Sequence, residues 1–156
     1  MTTAVETAPA QTASRVLAHP AADREEALAH FRAKLAFETD PSDVWADLQD
    51  GAAGFLVIDA RIPEVYAAGH VPGAINLPHR TIDAATTAGL PKDKVIVTYC
   101  DGVGCNASTK AAVKLSALGF AVKEMPGGLD WWRRDGLPVA TGAETGTPGS
   151  AVLCGC

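Results

Sequence analysis

The sequence lacks a basic excess, a long apolar run and the cysteine density of a disulfide scaffold. Thirteen Lys and Arg stand against eighteen Asp and Glu, a formal net charge of −5. Neither a nucleic-acid-binding surface nor attraction to an anionic membrane is therefore expected. No apolar stretch approaches the roughly 18 residues that a membrane-spanning helix requires. The opening MTTAVETAPAQTAS has neither the basic start nor the apolar run of a secretory signal, so a soluble cytoplasmic protein is expected. A Walker loop, a dinucleotide fingerprint and a Ser-His-Asp arrangement are also missing. What is present is 47 % apolar residues over 156 positions, enough for one ordinary domain with its own core. Such a core does not need disulfides, so Cys100, Cys105, Cys154 and Cys156 are read as reactive or metal-binding thiols.

Residues 1–20 are rich in Ala, Thr and Pro without an apolar period and are read as a disordered leader. Residues 141–156, TGAETGTPGSAVLCGC, read as a flexible tail carrying Cys154 and Cys156. Asp23 with Glu26 marks a helix start, and Leu28, Phe31 and Leu35 follow at helical spacing, so an N-terminal helical extension is expected over 21–38. Asp40 and Pro41 open a second helix, with Val44 and Leu48 four apart and Gly51 at its end. The runs Phe55-Leu56-Val57-Ile58 and Val95-Ile96-Val97-Thr98-Tyr99 suit strands buried on both faces. Weaker strands are expected at 74–77 and 120–125, and helices near 63–68, 80–88, 106–119 and 129–135. This alternation predicts an α/β domain with a mainly parallel sheet.

The segment richest in chemistry runs from Val95 to Cys100, through Asp101-Gly102-Val103-Gly104-Cys105-Asn106-Ala107, into a helix from about Ser108. Ligand sites in open α/β sheets lie at the carboxyl ends of strands. Unpaired amides at the start of a helix favour a thiolate over a thiol, and favour an anion bound beside it. Gly102 and Gly104 let such a loop curl its amides around a sulfur, and Asn106 or Ser108 is the expected cap. Cys100 is the candidate nucleophile; the alternative is a small buried residue at a strand end.

Three ordered motifs flank and include this loop. The first is Leu56-Val57-Ile58-Asp59-Ala60-Arg61, with Glu64-Val65-Tyr66 and Gly69-His70-Val71-Pro72-Gly73-Ala74-Ile75-Asn76. Cys100 follows at a strand end, and Pro126-Gly127-Gly128-Leu129-Asp130-Trp131-Trp132 with Gly136-Leu137-Pro138-Val139 closes the set. Through these motifs the chain resembles a single-domain rhodanese, a sulfurtransferase module, from about Thr39 to Val139. The resemblance implies a rhodanese-like domain over 39–140, a five-stranded mainly parallel sheet flanked by helices, and Cys100 at the end of the fourth strand. It also implies transfer of a sulfane sulfur through a Cys100 persulfide, with no metal and no organic cofactor. The partners would be a small sulfur donor, thiosulfate or a thiol persulfide, and a thiol or cyanide acceptor; a protein acceptor is also open.

The loop departs from the family pattern. The interval from Cys100 to Ser108 is about two residues longer than expected and carries no Lys or Arg. Asp101 follows the cysteine directly, and like charges about 4–6 Å apart repel by a few kcal/mol before screening, so weak thiosulfate use is expected unless Asp101 points to solvent. The phosphatases and arsenate reductases resembling this fold need an Arg where this chain has Asn106. Cys105 is either a resolving thiol, which would make a redox or persulfide sensor or interaction module of Cys100 and Cys105, or a packing residue. A tail of this length reaches about 20 Å, so Cys154 and Cys156 are open as relay thiols or as an incidental end. Their spacing does not demand zinc. Asp59 and Arg61 read as a structural ion pair within reach of Glu64, and His70 as a structural histidine. His79 is placed near the site rim, Lys110 as the nearest cation to the loop, and Trp131 and Trp132 as packing.

Overall fold

The computed structural model describes residues 14–146. Residues 1–13 of the expected leader and 147–156 of the expected tail, with Cys154 and Cys156, lie outside the described residues. A short 3-10 turn at Val16–Ala18 precedes the first α-helix.

Helix starts follow the capping signals. Asp23 accepts from the amides of Glu25 and Glu26 at 2.9 and 3.0 Å and opens α1 (Arg24–Phe37). Asp40 accepts from Asp43 N–H at 3.0 Å, Pro41 fills the first turn, and Gly51 at φ 70° closes α2 (Pro41–Asp50). The order continues β1 (Phe55–Asp59), α3 (Pro63–Ala68), β2 (Ile75–Asn76), β3 (Val95–Tyr99), α4 (Ala107–Ala117), β4 (Ala121–Glu124) and α5 (Gly128–Arg134). The sheet runs β2-β1-β3-β4 with every pairing parallel. Among the described residues no helix is long and apolar enough to cross a membrane.

Two sequence expectations need correction. The sheet has four strands among the described residues, not five, so the strand feeding Cys100 is the third. On the outer edge of β4 the described residues make a single parallel bridge, Glu38 with Glu124, backed by the Thr39 amide on the Glu124 carbonyl at 2.9 Å. Glu38 caps the end of α1 and Asp40 caps the start of α2, which leaves no length for a strand. Residues 80–88 form turns rather than a helix. There Asp83 and Thr86 bond reciprocally to each other's backbone amides at 2.8 and 3.0 Å, offering the chain an alternative to helical pairing.

Alternation along the strands splits the core into two layers. Val57, Val97 and Tyr99 face one side, packed with Val44 of α2 and with Leu129 and Trp132 of α5. Ile58 and Ile96 face the other, against Ala111 and Leu115 of α4. Trp132 is fully buried, stands edge-on to Trp45 with ring centroids 5.9 Å apart, and donates to the Pro138 carbonyl at 2.7 Å. Trp131 is partly exposed instead. Because the sheet is parallel, β1, β3 and β4 all deliver their carboxyl ends to one edge, where the site forms.

Candidate active site

Cys100 leaves the end of β3 almost fully buried, 2 % exposed. Its thiol donates to the Cys105 carbonyl at 2.9 Å, and Ser108 Oγ stands 3.3 Å from its sulfur. Burial pushes the Cys100 thiol above its ordinary value; the Ser108 hydroxyl opposes this, and the adjoining Cys105 reinforces it. At Cys105 burial acts in the same direction, but the Cys100 thiol and the amides of Ala107 and Asp101 outweigh it, leaving Cys105 more acidic than usual. In this geometry the Cys100 sulfur faces a carbonyl, and its burial works against the thiolate expected from the helix start. Cys100 and Cys105 are both free of disulfide.

The loop ends where α4 begins, at Ala107. Asn106 stands at the cap position of α4 and makes no side-chain cap bond, and the Ser108 hydroxyl is bonded elsewhere, so neither expected cap forms. On the opposite wall, α5 presses against the start of the loop. Its Leu129 and Asp130 amides donate to the carbonyls of Cys100 and Asp101 at 3.0 and 2.8 Å. This approach requires Gly128, at φ 50°, because a Cβ there would overlap the Cys100 carbonyl.

Arg61 supplies the cation that the loop lacks in sequence. It forks onto the buried Asp59 carboxylate through Nε at 2.9 Å and Nη2 at 2.6 Å, and Nη1 donates to Asp101 at 3.1 Å. Burial works against its charge, and Asp59 more than reverses that, raising the Arg61 pKa above its ordinary value. Glu64 does not join the pair; Asp101, forty positions away in the chain, does. Asp101 is nevertheless 69 % exposed at its side chain, so its charge is both partnered and solvated. His70 is fully buried, stacked on Tyr66 at 3.7 Å, with ring nitrogens 2.9 and 3.3 Å from the carbonyls of Tyr66 and Thr145. It does not line the Cys100 cavity.

Cys100 opens into a cavity of about 280 Å³ lined by loop residues Gly102, Val103, Cys105 and Asn106, by Ser108 and Thr109 of α4, and by Glu38, Glu124 and the Met125-Pro126-Gly127-Gly128 turn. No Lys or Arg lines it. Cys105 also lines a neighbouring cavity with Asp130 and Arg133. His79 and Lys110 lie away from both, in a basic depression with Arg80 and Lys114, where burial and these cations lower the His79 pKa. Sequence reasoning missed Glu124. The available signal was that a residue ending a strand parallel to β3 must reach the same sheet edge.

Comparison with known proteins agrees with this architecture. A family profile described as "Rhodanese-like domain" matches residues 40–135. The chain is similar to "HTH-type transcriptional regulator Rv0324" of Mycobacterium tuberculosis, 41 % identical over 95 residues, which cover 61 % of this chain and 42 % of that protein. It therefore spans less than half the length of that relative. It is also similar to "Thiosulfate sulfurtransferase GlpE" of Pseudomonas entomophila, 38 % identical over 84 residues, which cover 53 % of this chain and 73 % of that protein. Among solved structures, the BH2092 protein from Bacillus halodurans superposes with a TM-score of 0.75 at 40 % identity, covering 86 % of this chain and 95 % of that one.

Proposed function

The chain belongs to the rhodanese-like family, and on that premise we propose that it is a sulfurtransferase in which Cys100 carries the sulfane sulfur. The observation that supports this reading best is a cysteine at the carboxyl end of a buried strand, facing a cavity, with Ser108 of the following helix 3.3 Å from its sulfur. In the first half-reaction the Cys100 sulfur bonds the outer sulfur of a donor persulfide R–S–SH. The donor S–S bond breaks, its electron pair leaves on the R–S sulfur, and that sulfur takes up the Cys100 proton. In the second, an acceptor thiol attacks the outer sulfur and restores the Cys100 thiol. A thiol persulfide suits a cavity without cations better than the thiosulfate dianion does. The reaction needs neither metal nor organic cofactor.

A second reading has its own observation. The Cys100 thiol bonds the backbone of Cys105, so the two cysteines adjoin in one loop, the arrangement a reversible disulfide switch requires. Intact-protein mass spectrometry separates the two. Incubation of the reduced protein with glutathione persulfide or thiosulfate is expected to add one sulfur mass, dependent on Cys100 and removed by thiol or cyanide. Absence of that mass with every donor, together with an oxidant-induced Cys100–Cys105 disulfide, would replace the sulfurtransferase with the switch.

A further inference from the structure

Four carboxylates surround the Cys100 loop, and three of them have a cation. Glu38 pairs with Lys34 at 3.4 Å, Asp101 with Arg61 at 3.1 Å, and Asp130 with Arg134 at 3.1 Å. Glu124 has none among the described residues. Its Oε1 accepts from Ser108 Oγ at 2.6 Å and Thr109 Oγ1 at 2.9 Å, two neutral hydroxyls. These bonds fix the carboxylate at the end of β4, on the wall of the cavity into which Cys100 opens. A half-buried carboxylate held in place and left without a counter-charge, beside a nucleophile, is a fitting seat for a cation on the substrate.

We propose that Glu124 recognises an ammonium or guanidinium group carried by the sulfur donor or acceptor that docks on Cys100. This deepens the sulfurtransferase reading and rests on it for the identity of the transferred group: the substrates are amine-bearing persulfides and thiols rather than oxyanions. The same carboxylate couples docking to reactivity. Ser108 has one hydroxyl proton and two acceptors for it, the Glu124 carboxylate at 2.6 Å and the Cys100 sulfur at 3.3 Å, so the shorter charge-assisted bond to Glu124 competes with the bond to the sulfur. A cation seated on Glu124 competes for the carboxylate and releases that proton toward the sulfur, where it stabilises the thiolate and then the persulfide.

The test reads Cys100 alkylation by three reagents of different charge: cationic bromoethylamine, neutral iodoacetamide and anionic iodoacetate. Each rate is taken as the ratio of the native protein to Glu124→Gln, a variant that keeps an acceptor for both hydroxyls. Peptide mapping separates Cys100 from the other cysteines. The ratio is expected to be about tenfold higher for the cation than for the anion, with the neutral reagent between them. Equal ratios for all three, or a higher ratio for the anion, overturn the proposal. Loading by cysteamine persulfide and by glutathione persulfide is measured alongside. Faster loading by the cationic donor, lost in Glu124→Gln, supports the full assignment. If the alkylation ratios are ordered as expected but no donor loads Cys100, the cation seat stands and the sulfurtransferase reading fails.

Discussion

Arg61 Nη1 donates to Asp101 Oδ1 at 3.1 Å, so the carboxylate directly after Cys100 is tied to the guanidinium that already grips buried Asp59. The sequence places Asp101 beside the nucleophile as an uncompensated anion; the fold brings a cation to it. Of the carboxylates around the loop, Glu124 is the one left with hydroxyl partners and no cation among the described residues.

Removing the charge of Asp101 should accordingly change little. Its side chain is 69 % exposed, and an ion pair in that setting contributes at most about 1 kcal/mol. Asp101→Asn is expected to unfold in urea within that margin of the native protein, with less than a tenfold change in Cys100 loading by thiosulfate. A large gain in thiosulfate loading would restore Asp101 as the source of repulsion.

Arg61 carries the opposite expectation. Asp59 is fully buried and Arg61 is 7 % exposed, so Arg61→Met strands a carboxylate in the core. Breaking one side of a buried pair costs about 3–5 kcal/mol. Urea denaturation at neutral pH reads this directly, and a loss below about 1 kcal/mol would mean that the pair is not buried in solution.

The two loop cysteines should label in an order opposite to the expected roles of nucleophile and helper. Burial raises the Cys100 thiol above the ordinary 9.0, whereas Cys105 lies below it. The thiolate is the reactive form, so limiting iodoacetamide at pH 7 should modify Cys105 first. As pH rises past the ordinary value Cys100 ionises in turn and the gap closes. Peptide mapping after timed quenching checks this; faster labelling of Cys100 at pH 7 would show that its resting form is already the thiolate.

Gly128 and Gly119 both have positive φ, at 50° and 84°, and they differ in what a side chain would meet. A Cβ at Gly119 has nothing within 4 Å, whereas one at Gly128 overlaps the Cys100 carbonyl. Gly119→Ala should therefore cost only the conformational term of about 1–2 kcal/mol and leave Cys100 loading intact. Gly128→Ala pays the same term and also displaces the loop, so persulfide formation should fall steeply. Equal loading by the two variants would show that the α5 contact does not position Cys100.

The sheet was legible because its strands, at 55–59 and 95–99, are continuous apolar runs, and the helices because those at 24–37 and 41–50 carry Asp caps, the second also a terminal glycine. The turn at 80–88 was not, because the Asp83–Thr86 bonds compete locally with a helix that composition alone allows. Cys100 could be found from its place at a strand end. Glu124 and the Arg61–Asp101 bond could not be read from local pattern, since each depends on which strands lie side by side.

Cys105 decides between the two functions open to this loop. Its carbonyl, not its thiol, accepts the Cys100 S–H at 2.9 Å, and a serine preserves that backbone contact. If Cys100 transfers sulfur, Cys105→Ser should keep loading and repeated discharge to thiol within about threefold of the native protein, because no step of the transfer uses the second thiol. The same variant must lose any oxidant-induced intraloop disulfide. Turnover that stops after one event in the native protein, and a loss of all activity in Cys105→Ser, would assign the loop to a switch instead. Counting sulfur transferred per protein molecule over successive additions of donor distinguishes the two, because a transferase accumulates product in proportion to donor while a switch saturates at one equivalent.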